Sequence, residues 1–328
     1  MTALTSEDAI LSVIERHFPR AHSRLLMGRG DDCCVLESAG KLAISTDLFM
    51  EDVHFRRSYF TPEDIGWKAL AVNISDLAAG GARPVGFSLG LALPPEAGME
   101  LVDRLFAGMA MLAAPLNLAL TGGDLSGAEK LHLCITVFGD VTPGGMLRRA
   151  NCRPGDIVFL IGELGLARTG LAALEADGRA ALERCPVACQ AHLRPVPHTS
   201  AGLALAALQE ESGKRLSLMD VSDGLARDLP RLLGSFGAAL ELPAPCREIF
   251  TMTKNVQTGE MDPDRAWQTV WLGGEDYALL GTCEPDLLPA LHHAVPDARP
   301  LGQVTEGPIT WNGREASRSD GFDHFARA

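Results

Sequence analysis

Short runs with strand-like alternation take turns with helical stretches along almost the whole chain, which restricts it to an α/β or α+β fold. Residues 42–46 read as a strand that ends at Asp47. Thr61-Pro62-Glu63-Asp64 opens a helix, because proline suits the first turn and acids suit the positive end of the helix dipole. Gly80-Gly81 supply its stop. Val85, Phe87, Leu89 and Leu91 alternate with Gly86, Ser88 and Gly90, the pattern of a strand with one apolar face. A helix over 96–114, a short strand over 118–121 and another over 131–139 follow. The pattern breaks between Thr142 and Gly155, at Pro143-Gly144-Gly145 and Arg153-Pro154-Gly155. Beyond the break come a strand over 157–161, a helix after Gly165, a strand over 216–221 feeding a helix from about Asp223, and a helix over 264–272. Pro186, Pro195 and Pro197 read as an irregular connection. At 328 residues the chain exceeds one ordinary core and suits two domains of roughly 150 residues each. The division is expected at 1–145 and 146–328.

The second constraint is a recurrence of acids beside glycine. Asp31-Asp32 follow Gly28-Arg29-Gly30, Asp47 closes a strand, and Asp124 follows Gly122-Gly123. Asp220 and Asp223 frame Val221-Ser222 before Gly224, and Asn73 and Asp76 share one face of a helix. Taken singly, each acid has an ordinary use as a helix cap or Asx-turn. Together they need neutralising, and hard divalent cations with oxygen ligands do that; magnesium uses few carboxylates per ion and readily shares substrate phosphates. The reading is a multi-magnesium nucleotide site. Other phosphate and catalytic motifs are missing: Gly213-Lys214-Arg215 fails the P-loop pattern at both ends, and no dinucleotide fingerprint or H-E-x-x-H is found. His292-His293 read as a solvated helix face, and Arg148-Arg149 are the basic candidates for a triphosphate.

Charge closes off other classes. With Lys+Arg at 29 and Asp+Glu at 42, the net charge is −13, which argues against general binding of nucleic acid or of an anionic membrane. Aromatic residues are only 5%, too few for base-stacking platforms. Residues 1–20 suit an amphipathic helix rather than a signal peptide, and the most apolar stretch, 105–120, is short of a span and carries Pro115 and Asn117. A cytoplasmic protein is expected. Its eight cysteines include adjacent Cys33-Cys34 but no C-x-x-C, so they read as reduced, buried thiols.

The order of these segments resembles the thiamine-monophosphate kinase family, within the ATP-binding superfamily of aminoimidazole ribonucleotide synthetase. The resemblance is carried by Gly30-Asp31-Asp32, Ser45-Thr46-Asp47, Val53-His54-Phe55, the run from Gly66 through Asn73 and Asp76 to Ala79, Gly122-Gly123-Asp124 and Arg153-Pro154-Gly155-Asp156. It continues through Asp220-Val221-Ser222-Asp223-Gly224-Leu225, Gly273-Gly274-Glu275-Asp276-Tyr277 and Gly321-Phe322-Asp323-His324-Phe325. It implies an N-terminal sheet domain that dimerises, a C-terminal α/β domain, and ATP-dependent phosphorylation of thiamine monophosphate to thiamine diphosphate. Direct in-line transfer at several Mg2+ ions follows from the same likeness, with no covalent catalytic residue. The implied metal ligands are Asp32, Ser45, Thr46, Asp47, Asp76, Asp124, Asp220 and Asp223. The implied ATP contacts are Gly123, Asp124, Arg149 and Ser222, and the implied substrate contacts are His54, Glu275 and Phe322. This chain departs from the family at Glu51-Asp52, where Glu-Gly or another small residue is common. Leu125 stands where Thr is usual, and Ala278 where Glu is usual. Two relatives are disfavoured: residues 1–27 hold neither the Cys nor the Lys that selenophosphate synthetase needs, and the chain does not end in the reactive Cys of the hydrogenase-maturation relative.

Overall fold

Ser6 begins the first helix by accepting a hydrogen bond from the Ala9 N–H, with Glu7 and Asp8 in the first turn and Arg16 and His17 in the last. A computed structural model describes residues 6–30, 32–253 and 262–316. The chain forms two compact units, Met1–Leu77 with Ala82–Val141 and Ala78–Gly81 with Thr142–Ala328. The first holds α1 (Glu7–His17), β1 (Leu25–Met27), β2 (Val35–Leu36), β3 (Leu42–Met50), most of α2 (Pro62–Ala79), β4 (Arg83–Leu93), α3 (Met99–Ala113), β5 (Ala119–Gly127) and β6 (His132–Asp140). Its four-stranded sheet runs β3-β6-β4-β5, antiparallel except for the parallel β4–β5 pair. A parallel pair needs a crossover, and α3 is that crossover. Phe87, Leu89, Leu91, Leu133, Ile135 and Val137 of the sheet are buried, as are Leu70 and Ile74 of α2 and Leu105, Phe106 and Met109 of α3. Phe18 packs edge-on between Phe87 and Phe106, at 5.4 and 6.3 Å. Alternate residues of β3 do the reverse: Leu42, Ile44 and Leu48 are exposed.

Two expectations about strands are corrected here. Asp47 does not end a strand, and the strand expected over 118–121 does not stop before Gly122-Gly123-Asp124. Asp47 lies inside β3, paired with Ile135, and Asp124 lies inside β5, paired with Gly90. Ladder hydrogen bonds carry both strands through residues that read locally as turn formers. Gly123 has a packing reason to be glycine: its φ is +156°, and a Cβ there would stand 1.8 Å from the Leu89 carbonyl oxygen.

The second unit continues with β7 (Ile157–Ile161), α4 (Leu166–Asp177), α5 (Ala181–Arg184), α6 (Pro186–Leu193), α7 (Thr199–Ser212), β8 (Leu216–Asp220), α8 (Leu225–Leu233) and β9 (Gly237–Leu240). It closes with α9 (Arg247–Met252), α10 (Pro263–Leu272), β10 (Leu279–Cys283), α11 (Leu288–Ala294), β11 (Arg299–Thr305), β12 (Thr310–Trp311) and β13 (Arg314–Glu315). Its sheet order is β13-β12-β9-β11-β7-β10-β8. Phe159, Ile161, Leu216, Leu218 and Leu279 of the sheet share a core with Leu205 of α7 and Leu291 of α11. Pro186 is not part of an irregular connection; it is the first residue of α6, where a missing N–H costs nothing. His292 and His293 are exposed on α11. All eight cysteines are free thiols, but only Cys152, Cys185, Cys189 and Cys283 are buried; Cys33 is exposed and the others half-buried. Among the described residues no helix is long and apolar enough to cross a membrane.

Candidate functional site

In the first unit, β3 and α2 bring part of the acidic set together. Ser45 and Asp47, two apart on β3, face α2, which offers Asn73 and Asp76 from successive turns. Ser45 Oγ donates to Asp76 Oδ2 at 2.5 Å, and the Asp47 N–H donates to Asn73 Oδ1 at 3.1 Å. Asn73 is itself buried and held by a bond from Nδ2 to the Ala69 carbonyl, 2.9 Å. Burial, and then the neighbouring Asp76 carboxylate, push Asp47 up to about 6. Two acids that raise each other's cost in this way suit a divalent cation, which would relieve the repulsion. Among the described residues no three His, Cys, Asp or Glu side chains form a ready-made metal cage. The donors that do meet here, the Asp47 and Asp76 carboxylates and the Ser45 hydroxyl, are all oxygens, a set that suits magnesium, which keeps waters and shares phosphate oxygens, better than zinc. Thr46 points the other way. Its hydroxyl meets Thr136 at 2.8 Å on the opposite face, so it can reach a ligand beside the acids only through its main chain.

Asp32, Gly123 and Asp124 line a separate cleft of roughly 310 Å³ with Arg20, Arg29 and Cys33. Asp31 lies outside the described residues. Gly123 shares a rung with Asp47 through Leu89 and Ile135, so the cleft lies about 14 Å along that rung, three strand spacings. Arg29 is held by the carbonyls of Phe18 and Leu120. His54 follows β3. Its Nδ1 accepts the Met50 N–H at 3.0 Å, which leaves Nε2 to carry the proton of the neutral ring. The nearby departure from the family now has a reason: Asp52 has φ +65°, a conformation that favours glycine and that Asp tolerates, and its carboxylate pairs with Lys130 at 2.9 Å.

The second unit gathers the remaining residues around the end of β8. Asp220 is its last residue and is buried. Arg149 is exposed, next to Arg148, whose main chain bridges to Ser217 of β8. The Glu275 N–H donates to the Ser222 carbonyl at 2.7 Å, and the Tyr277 N–H to the Val221 carbonyl at 2.9 Å, so the two acidic loops are stitched together. Ala278, the third departure, is fully buried. Phe322 lies outside the described residues.

Sequence reasoning missed three residues that shape this region. Asp228, fully buried on α8, accepts the N–H groups of Ser222 and Asp223 at 3.0 and 2.9 Å; burial pushes its carboxyl up. Arg231 bridges Asp228 and Asp223, at 2.8 Å from each. His192 of α6 meets Glu275. An acid in the first turn of a helix is a readable signal for Asp228; nothing local marks His192.

Residues 30–141 match the family described as AIR synthase related protein, N-terminal domain, which defines the class of the first unit. A thiamine-monophosphate kinase of Synechococcus elongatus is 33% identical over 311 residues, spanning 90% of this chain and 91% of its own. The crystal structure of thiamine-monophosphate kinase from Stenotrophomonas maltophilia is 31% identical with a TM-score of 0.79, covering 95% of this chain and 98% of that one. AaThiL complexed with AMPPCP and TMP is 27% identical with a TM-score of 0.74, covering 97% of each chain. The chain therefore belongs to the thiamine-monophosphate kinase family.

Proposed function

We propose that the chain transfers the γ-phosphoryl group of ATP to the phosphate of thiamine monophosphate, giving thiamine diphosphate and ADP, and that it does so in the cytoplasm as a homodimer. The observation that carries this reading is the meeting of Ser45, Asp47 and Asp76, from β3 and α2, in a member of this family. A relative complexed with AMPPCP and TMP supports the choice of both substrates.

The metal set of the reading is Asp32, Ser45, Thr46, Asp47, Asp76, Asp124, Asp220 and Asp223, and its ATP set is Gly123, Asp124, Arg149 and Ser222. Magnesium, when bound, supplies charge neutralisation at the phosphate oxygens. The chain's own part is to hold and orient. Asn73 fixes the Asp47 main chain, and Ser45 fixes Asp76. Asp228 holds the amides of Ser222 and Asp223. The reading assigns His54 and Glu275 to the acceptor, and Glu275 would offer a negative group to the cationic ring of thiamine. Transfer is direct and in line: one P–O bond breaks to ADP as another forms to the acceptor phosphate, with no phosphoenzyme.

The test is to incubate purified protein with ATP, magnesium and thiamine monophosphate and to separate the products. Thiamine diphosphate should form, and ATP should be consumed only when the acceptor is present. Asp76→Asn, which keeps shape and one oxygen ligand, should lower turnover at least about 10²–10³-fold. ATP binding without turnover, or near-normal turnover in the Asp76→Asn variant with a lowered melting temperature, would reject the reading.

A further inference from the structure

Glu275 has φ +64° and Tyr277 has φ +51°, left-handed conformations that other residues adopt only when their surroundings hold them there. Three anchors do so. The main-chain bonds to Ser222 and Val221 are two of them. The third is Asp276, whose carboxylate accepts the N–H groups of Gly165 and Ala167 at 2.6 and 2.9 Å, at the start of α4. These bonds fix the main chain of Glu275 and leave its side-chain torsions undetermined. That side chain meets His192, whose Nδ1 lies 3.2 Å from Glu275 Oε2. His192 is only 1% exposed, whereas Glu275 keeps 27% exposure, so the carboxylate is braced from inside and reachable from outside.

The brace is itself rigid. Helix α6 packs backbone to backbone on α4, where a Cβ on Gly170 would stand 2.0 Å from the Ala188 carbonyl oxygen. Glu248 also accepts the Ala188 N–H at 2.8 Å. We propose that His192 is a positioning residue: it donates from Nδ1 to Glu275 and so aims that carboxylate at the cationic ring of thiamine monophosphate. Holding a flexible Glu in one rotamer before the ligand arrives removes an ordering cost from binding, and that cost is worth about threefold to tenfold in affinity. This inference rests on the reading of Glu275 as a substrate contact.

Four variants separate the possibilities by steady-state kinetics in each substrate, with thermal unfolding as the fold control. His192→Leu should raise KM for thiamine monophosphate about threefold to tenfold, with kcat and KM for ATP within about twofold. His192→Asn, whose amide nitrogen falls where Nδ1 does, should stay near wild type. Glu275→Gln should raise the same KM, and His192→Leu combined with Glu275→Gln should be no worse than Glu275→Gln alone, because one residue acts through the other. An unmoved KM in His192→Leu, an equal rise for both substrates, an Asn variant as poor as the Leu variant, or effects that multiply in the double variant would overturn the proposal. If Glu275→Gln itself leaves KM unmoved, the reading of Glu275 fails and the proposal with it. Should His192→Leu not fold, His192→Phe keeps a ring without the nitrogen and takes its place.

Discussion

At the scale of single residues, the acids that make the site also strain it. Asp47 and Asp76 are brought together by β3 and α2, and burial with the Asp76 charge moves Asp47 from an ordinary 3.8 to about 6. The folded protein therefore binds this proton more tightly than the unfolded chain does. Asp47 opposes folding fully above pH 6, and the opposition fades as pH falls from about 6 toward 3.8. The displacement corresponds to at most ~3 kcal/mol, and to about 1–2 kcal/mol after solvent screening of a half-buried pair. In cation-free buffer near neutral pH, Asp47→Asn should thus raise the melting temperature by roughly 2–8 °C, and the gain should vanish near pH 4. Magnesium should raise the melting temperature of the wild type by more than that of the variant. Scanning calorimetry at two pH values, with and without magnesium, decides it; a variant less stable than wild type in cation-free neutral buffer would make Asp47 a purely structural acid. Other residues could not be read in advance because their partners are remote in sequence. His192 meets Glu275 and Asp228 meets the Ser222 amide only after two loops and a helix have docked.

At the scale of elements, the periodic segments were legible and their limits were not. The alternation of Val85, Phe87, Leu89 and Leu91 marks β4, and Pro62 with Gly80-Gly81 brackets α2. Gly122-Gly123 misleads, because a glycine needed for close strand approach looks the same in sequence as a glycine needed for a turn. The same ambiguity holds where α2 crosses α3. Gly108 is in the middle of α3, where helix propensity alone favours alanine by about 1 kcal/mol. Yet a Cβ there would stand 2.1 Å from the Glu63 carbonyl oxygen, and on the facing helix a Cβ on Gly66 would stand 2.0 Å from that of Leu105. Neither obstacle is a side chain that can swing aside. Gly108→Ala should therefore destabilise the protein by about 1–3 kcal/mol and push α2, the carrier of Asn73 and Asp76, off β3. Denaturant unfolding tests the sign: a higher midpoint for the alanine variant would show that propensity outweighs the close helix crossing.

At the scale of the whole molecule, the four-stranded sheet has one face under α2 and α3, and its other face carries no helix among the described residues of the first unit. Ile44 and Leu48 stand on that second face at 62% and 57% exposure, with Leu42 beside them. Three strands of nine residues and one of eleven, about 4.8 Å apart, give a flat area of roughly 600 Å². Side-chain relief raises the accessible area toward the roughly 800 Å² that each partner contributes to a standard interface. Apolar side chains at this density on a strand face seldom stay in water in a soluble chain, and a second copy of the same sheet is the self-complementary occupant that a twofold axis allows. The homodimer proposed above is expected to use this face. Replacing Ile44 and Leu48 together by Lys puts four like charges at a twofold contact, while each single chain loses almost nothing, since both positions are already solvated and exposed substitutions usually stay within about 0.5 kcal/mol. Sedimentation velocity at micromolar concentration should show a dimer for the wild type and a monomer for the double variant, with melting of the isolated chain little changed. A double variant that sediments as a dimer would place the interface elsewhere, and a wild type that sediments as a monomer would remove the dimer from the reading altogether.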